Sequence, residues 1–178
     1  MLTDILSLED CAACRLCCHF HRESAWETPA IEPALVDAYR RLEPAPPLRR
    51  RPDGSVSFEL NFEGRAADES APCPLLDCRS GCRLPREERP MECRLWPLRL
   101  MRRRGTDGRE QVLLGCYRDC PGVQRCGMET LRRFAEEKLK ALLLEHARRL
   151  PQTIRPYDEH YEILAAWPEL QGLETPDA

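Results

Sequence analysis

Apolar positions recur along this chain with two different periods, and those periods mark out its elements. METLRRFAEEKLKALLLEHARRL, residues 128–150, places Leu131, Phe134, Ala135, Leu139, Leu142 and Leu143 along one side of a helix, and Pro151 stops it. IEPALVDAYRRL repeats the spacing with Ile31, Leu35, Ala38 and Leu42, and Pro33 fits a first helical turn. SVSFELNFEG alternates instead. Val56, Phe58, Leu60 and Phe62 share one face and Ser57, Glu59, Asn61 and Glu63 the other, which predicts a half-buried strand ended by Gly64. PLRLMRRRGTDGREQVLLGC predicts a hairpin, with Leu98 and Leu100 on one arm, Val112 and Leu114 on the other, and a turn at Gly105 to Gly108. TDILSLED predicts a short helical turn, and residues 161–167 a short helix ended by Pro168. Pro44, Pro46, Pro47 and Pro52 make EPAPPLRRRPDG a stiff connector.

The cysteines fall between these elements. The expected fold is therefore α+β: a small, loop-rich, metal-organised single domain with a β-hairpin and a long C-terminal amphipathic helix. Residues 1–127 are expected to form the cysteine-cluster part, with residues 128–178 a helical extension packed on it.

Composition sharpens this picture. Of 178 residues only 6% are aromatic, while 16 are proline and 11 are cysteine. A thin core with many cysteines implies crosslinks, either disulfides or metals. The N-terminus, MLTDILSLED, has no basic region, apolar stretch or cleavage site of a signal peptide, and no segment reaches the length of a membrane span. The expectation is a reducing cytoplasm with no membrane partner, where clustered cysteines are metal ligands rather than disulfides. An odd count also leaves at least one thiol outside any complete intrachain disulfide framework. The net charge of −3, with arginine runs only at Arg49–Arg51 and Arg102–Arg104, argues against nucleic acid as a partner.

CAACRLCC, residues 11–18, holds Cys11, Cys14, Cys17 and Cys18. The first three form C-x2-C-x2-C, the spacing with which ferredoxin-type loops wrap three corners of a [4Fe–4S] cube. The fourth ligand of such loops is remote and followed by proline, a form met at both Cys73-Pro74 and Cys120-Pro121. Zinc also takes four thiolates, more often from paired C-x2-C motifs, so iron–sulfur is the first expectation and zinc the alternative. Adjacent side chains diverge in regular backbone, so Cys17 and Cys18 are expected to serve two centres on either side of the chain. Cys78, Cys116 and Cys126 are as readily small buried hydrophobes as ligands. His19 and His21 are expected at the surface, and His146 and His160 in structural roles.

The stretch CPLLDCRSGCRLPREERPMECRLWPL, with CAACRLCC upstream, resembles the CxxCxxCC family, the YkgJ-like cysteine-cluster proteins described as a zinc- or iron-chelating domain. The shared pattern is CxxCxxCC, then Cys73-Pro74-Leu75-Leu76, Cys82, and Arg89-Pro90 with Cys93-Arg94 and Pro97, followed by Cys120-Pro121-Gly122. The resemblance implies the metal ligands Cys11, Cys14, Cys17, Cys18, Cys73, Cys82, Cys93 and Cys120. Cys78 is an addition to the pattern. Arg89 and Arg94 are cations beside a thiolate-rich, negatively charged site, where donors to sulfur stabilise charge and tune a bound cofactor.

Three functions remain open at this level: an iron–sulfur or iron protein with a redox role, a structural zinc scaffold that engages a protein partner, and a metal-handling protein. Enzyme chemistry finds no further signal. EGRA and GTDGRE do not make a nucleotide loop, and neither G-x-S-x-G nor H-E-x-x-H occurs.

Overall fold

The computed structural model describes residues 2, 14–79, 81–171 and 173. The predicted turn in TDILSLED and the candidate ligand Cys11 lie outside them. The fold is mixed α+β, and the chain divides into two compact units. One spans 11–94 and contains the first two cysteine stretches. The other comprises 1–10 and 95–178, so the hairpin belongs with the C-terminal helix.

The cysteine-rich unit is built from very short pieces. Strands β1 (His19–Phe20), β2 (Ala30–Ile31), β3 (Leu48–Arg50), β4 (Val56–Phe58), β5 (Ala71–Pro72), β6 (Leu76–Asp77) and β7 (Gly81–Cys82) accompany helices α1 (Pro33–Arg40) and α2 (Met91–Leu95). β4 is central to an antiparallel sheet with β2 and β3, while β1 pairs with β5 and β6 with β7. Its core is small: Ile31, Val36, Tyr39, Phe58, Leu75 and Leu84, with Cys73 and Cys82 packed against it. The Tyr39 and Phe58 rings stack at 5.8 Å.

Three sequence expectations are corrected here. The buried face of α1 carries Val36 and Tyr39 while Ala38 is exposed. The bulk of Tyr39 and its hydroxyl's bond to the Glu88 carbonyl set the helix phase. The connector of prolines holds a strand, because Leu48, Arg49 and Arg50 find partners on β4. The alternating stretch is a strand only to Phe58. Within it Ser57 is fully buried, its hydroxyl taking a hydrogen bond from Arg51 at 3.1 Å. Gly64 does turn the chain, at φ 71°.

In the second unit β8 (Leu98–Arg104) and β9 (Glu110–Tyr117) form the predicted hairpin, with Leu98 opposite Cys116 and Leu100 opposite Leu114. β10 (Arg155–Pro156) adds parallel to β8, and β11 (Tyr161–Ala165) antiparallel to β9. The segment read as a last helix is thus β11. Its apolar run is too short for periodicity to separate helix from strand, and the open edge of β9 decides. Pro168 does follow as the start of a single 3-10 turn.

Helix α3 (Pro121–Cys126) leads into α4 (Met128–Phe134) and α5 (Lys140–Arg149), joined through a π turn at Ala135–Leu139. Leu131, Ala135, Leu139, Leu143 and Ala147 are all buried, a strict four-residue repeat. Four residues overshoot an α-turn by ~40°, so such a stripe drifts around the helix, and one wider turn takes up part of the drift. Phe134 and Leu142 are half-buried at the edges of the stripe. Among the described residues no helix is long and apolar enough to cross a membrane.

Candidate metal centre

None of the ten described cysteines is in a disulfide. Their neighbourhoods sort them into groups.

Local hydrogen bonding assembles the first group. Arg15 adopts a left-handed conformation, φ 54°, and its carbonyl accepts from the Cys18 amide at 2.9 Å, winding Leu16–Cys18 into a 3-10 turn. Cys18 then accepts through its own carbonyl from the Cys73 amide at 2.7 Å, continuing the pairing of His19 with Pro72 and Phe20 with Ala71. Cys82 sits opposite Leu76 in the small β6–β7 hairpin, and the Arg83 amide donates to the Leu75 carbonyl at 2.9 Å, tying Cys82 back beside Cys73. Cys93 arrives on α2. The first amide of that helix, Met91, donates to Glu32 at 2.8 Å, and Glu92 reaches back to accept from the Ala30 amide. Four sulfurs from three separate stretches are thereby gathered around the edge of one small core.

Electrostatics show how close the gathering is. Cys18, Cys73, Cys82 and Cys93 interact as charges in every pairwise combination. Burial pushes the Cys73 thiol up to about 12, and burial likewise leads the causes that raise Cys82 and Cys93, each added to by the other thiols. Cys93, like the other three, keeps some exposed surface. Cys18 goes the other way: a hydrogen bond from Cys17 lowers it most, with Arg89 and Arg15 assisting. Arg89 also lowers Cys82 and is anchored by donating from Nε to the Leu84 carbonyl at 3.0 Å. Arg94 acts instead on Glu32, lowering a carboxyl that burial raises. Tyr39, whose hydroxyl is raised by burial, lies beside Cys93 and Cys82 and joins the core to the thiols.

Cys17 and Cys18 do not diverge. Their sulfurs stand 4.0 Å apart, which corrects the expectation that the two side chains point away from one another. The regular-backbone rule fails because the left-handed Arg15 and the extended His19 bracket a single irregular turn. Cys14 is exposed. Cys78 is also exposed, in the turn between β6 and β7. His19 and His21 are exposed, with His19 Nδ1 at 3.2 Å from the Arg15 carbonyl oxygen.

The second group lies in the other unit. Cys116 is fully buried on β9, Cys120 precedes α3 and Cys126 ends it, and the three interact as charges with one another. Burial pushes Cys116 up to about 12, and Glu162, its cross-strand neighbour, raises it further. Cys120, implied as a ligand by the family pattern, thus has Cys116 and Cys126 as its thiol neighbours. His146 is buried on α5, whereas His160 is exposed and bonded to Asp158 at 2.7 Å.

Four thiols with an adjacent cation are the donor chemistry that zinc or an iron–sulfur cluster requires. As the side chains stand, no three Cys, His, Asp or Glu residues among the described ones form a group that could hold an ion. No family model, no curated protein and no solved structure matches the chain.

Proposed function

We propose that this is a metal-binding protein whose cysteine-rich unit is held together by one four-thiolate centre made from Cys18, Cys73, Cys82 and Cys93. The observation that carries this reading is the complete set of pairwise interactions among those four thiols. Buried thiols with raised pKa favour the neutral form until a cation offsets their charge, and Arg89 supplies part of that offset.

The role is structural. Strands of two or three residues around six core side chains bury little apolar surface for a unit of this length. A thiolate-bound ion supplies folding free energy on the order of 10 kcal/mol. The centre is read as zinc: Cys18 alone of the opening tetrad enters it, so the C-x2-C-x2-C run that wraps a [4Fe–4S] cube is not used. A [4Fe–4S] centre would instead draw on Cys11, Cys14 and Cys17, of which Cys14 is exposed. Resemblance to the CxxCxxCC family, with its zinc- or iron-chelating character, agrees with a metal centre of either kind. A reducing cytoplasm is the compartment in which these thiols would remain available.

Anaerobic purification, metal analysis and an absorption spectrum test the proposal. One equivalent of zinc in a colourless protein is the expected result. A brown protein with acid-labile sulfide would replace zinc by the cluster, and a metal-free protein that stays folded would overturn the reading altogether.

A further inference from the structure

Cys17 is the sulfur that the proposed four-thiolate set leaves over, and it stands 4.0 Å from the sulfur of Cys18. Both residues are partly exposed, and Leu16 beside them is, among the described residues, the large apolar side chain most open to solvent, so a small reagent can reach the pair. Adjacency means that only the local peptide has to turn to bring the sulfurs together. We propose that Cys17 and Cys18 are a redox modification site, oxidised to one another by a small disulfide of the glutathione class.

The step is ordinary thiol–disulfide exchange. One of the two sulfurs, as thiolate, attacks the small disulfide and forms a mixed disulfide, releasing one small thiol. The neighbouring thiol loses its proton and attacks the protein-side sulfur of that mixed disulfide, expelling the second small thiol. The pair loses two hydrogens and is oxidised, and the small disulfide is reduced to two thiols.

Geometry makes the product a labile one. Consecutive Cα atoms are held about 3.8 Å apart by a trans peptide. Unstrained disulfides span roughly 4.4–6.8 Å between Cα atoms. The ring is therefore strained and easily reduced, as regulatory disulfides are. The peptide that must turn to close it is fixed on both sides, by Cys18 amide to Arg15 carbonyl at 2.9 Å and by Cys73 amide to Cys18 carbonyl at 2.7 Å. Closing the ring withdraws the Cys18 sulfur and loosens the backbone that positions Cys73. Resting on the four-thiolate reading, the consequence is release of the ion when the surroundings turn oxidising.

Trypsin cleavage after Arg15 and Arg22 yields the peptide Leu16–Arg22, LCCHFHR, which holds these two cysteines alone. The full-length protein is exposed to oxidised glutathione, alkylated and digested without reductant, while a colorimetric chelator follows released metal. The expected peptide escapes alkylation, weighs two hydrogens less than its reduced form, and takes up two alkyl groups after dithiothreitol. A peptide that is doubly alkylated, glutathione-bound or linked to another cysteine peptide would overturn the proposal. Cys17→Ser is expected to keep its metal and to abolish oxidant-driven release. Ring formation in the wild type without any bound metal would sustain this modification while sinking the four-thiolate reading, so the two fail separately.

Discussion

Two groups of thiols in this protein differ in burial and in how cations reach them. In the cysteine-rich unit, Arg89 faces Cys18 and Cys82, Arg15 faces Cys18, and Arg83 assists at Cys82. In the other unit, Cys116 faces Glu162 across the sheet, and every charge acting on it raises it. In the first group cations reach Cys18 and Cys82, while the charges acting on Cys73 and Cys93 raise them. In the second, Arg125 lowers Cys126 alone. Burial alone does not identify a metal ligand. One guanidinium, Arg89, acting on two thiols of the same group is what marks that group as the prospective metal site.

The sharpest way to break this comparison is to remove one thiol from each group. Cys93→Ala is expected to abolish metal binding and, with it, most of the thermal stability of the cysteine-rich unit. Cys116→Ala should leave metal content unchanged and cost about 1 kcal/mol for the small cavity it opens, seen as a modest fall in melting temperature. Equal metal loss in both variants would erase the distinction.

Exchanging the charges should have a smaller effect. Arg89→Met keeps the bulk and removes the cation, so competition with a chelator should show metal affinity lowered about tenfold or more. Glu162→Gln should not change that affinity. Smaller still is the effect of Glu32→Ala, which deprives the Met91 amide of its acceptor at the start of α2. A cost of ~1 kcal/mol to urea stability is expected, with weakened metal binding because that helix carries Cys93.

Much of this was legible in the order of residues, and the failures have physical causes. The β8–β9 hairpin was readable because two apolar arms flank a glycine-rich turn, a purely local signal. The long helix was readable from its stripe, although not the π turn that lets a strict four-residue repeat remain on one side. β11 was misread because an isolated stretch such as YEILAAW carries no information about the free edge of β9 that awaits it. β3 was hidden among prolines for the same reason.

At the site, the resemblance to the CxxCxxCC family implied Cys18, Cys73, Cys82 and Cys93 together with Cys11, Cys14, Cys17 and Cys120. It could not show that Cys120 has Cys116 and Cys126 as its companions, since partners across a sheet or along a short helix leave no periodic trace. Both arginines of R-P-x-x-C-R were expected beside the thiolates, Arg94 ahead of Arg89. A single bond to the Leu84 carbonyl aims Arg89 at the thiols, while Arg94 attends to Glu32. The convergence of Cys17 and Cys18 depended on the left-handed Arg15, a conformation that a sequence reading would never assign to arginine.

Cobalt(II) titration tests the central claim most directly, because the intensity of the sulfur-to-cobalt charge-transfer band counts thiolate ligands. One equivalent should give a four-thiolate tetrahedral spectrum in the wild-type protein and an unchanged one in the Cys116→Ser/Cys120→Ser/Cys126→Ser variant. A band that never develops, or one that disappears when those three serines are introduced, would contradict the account.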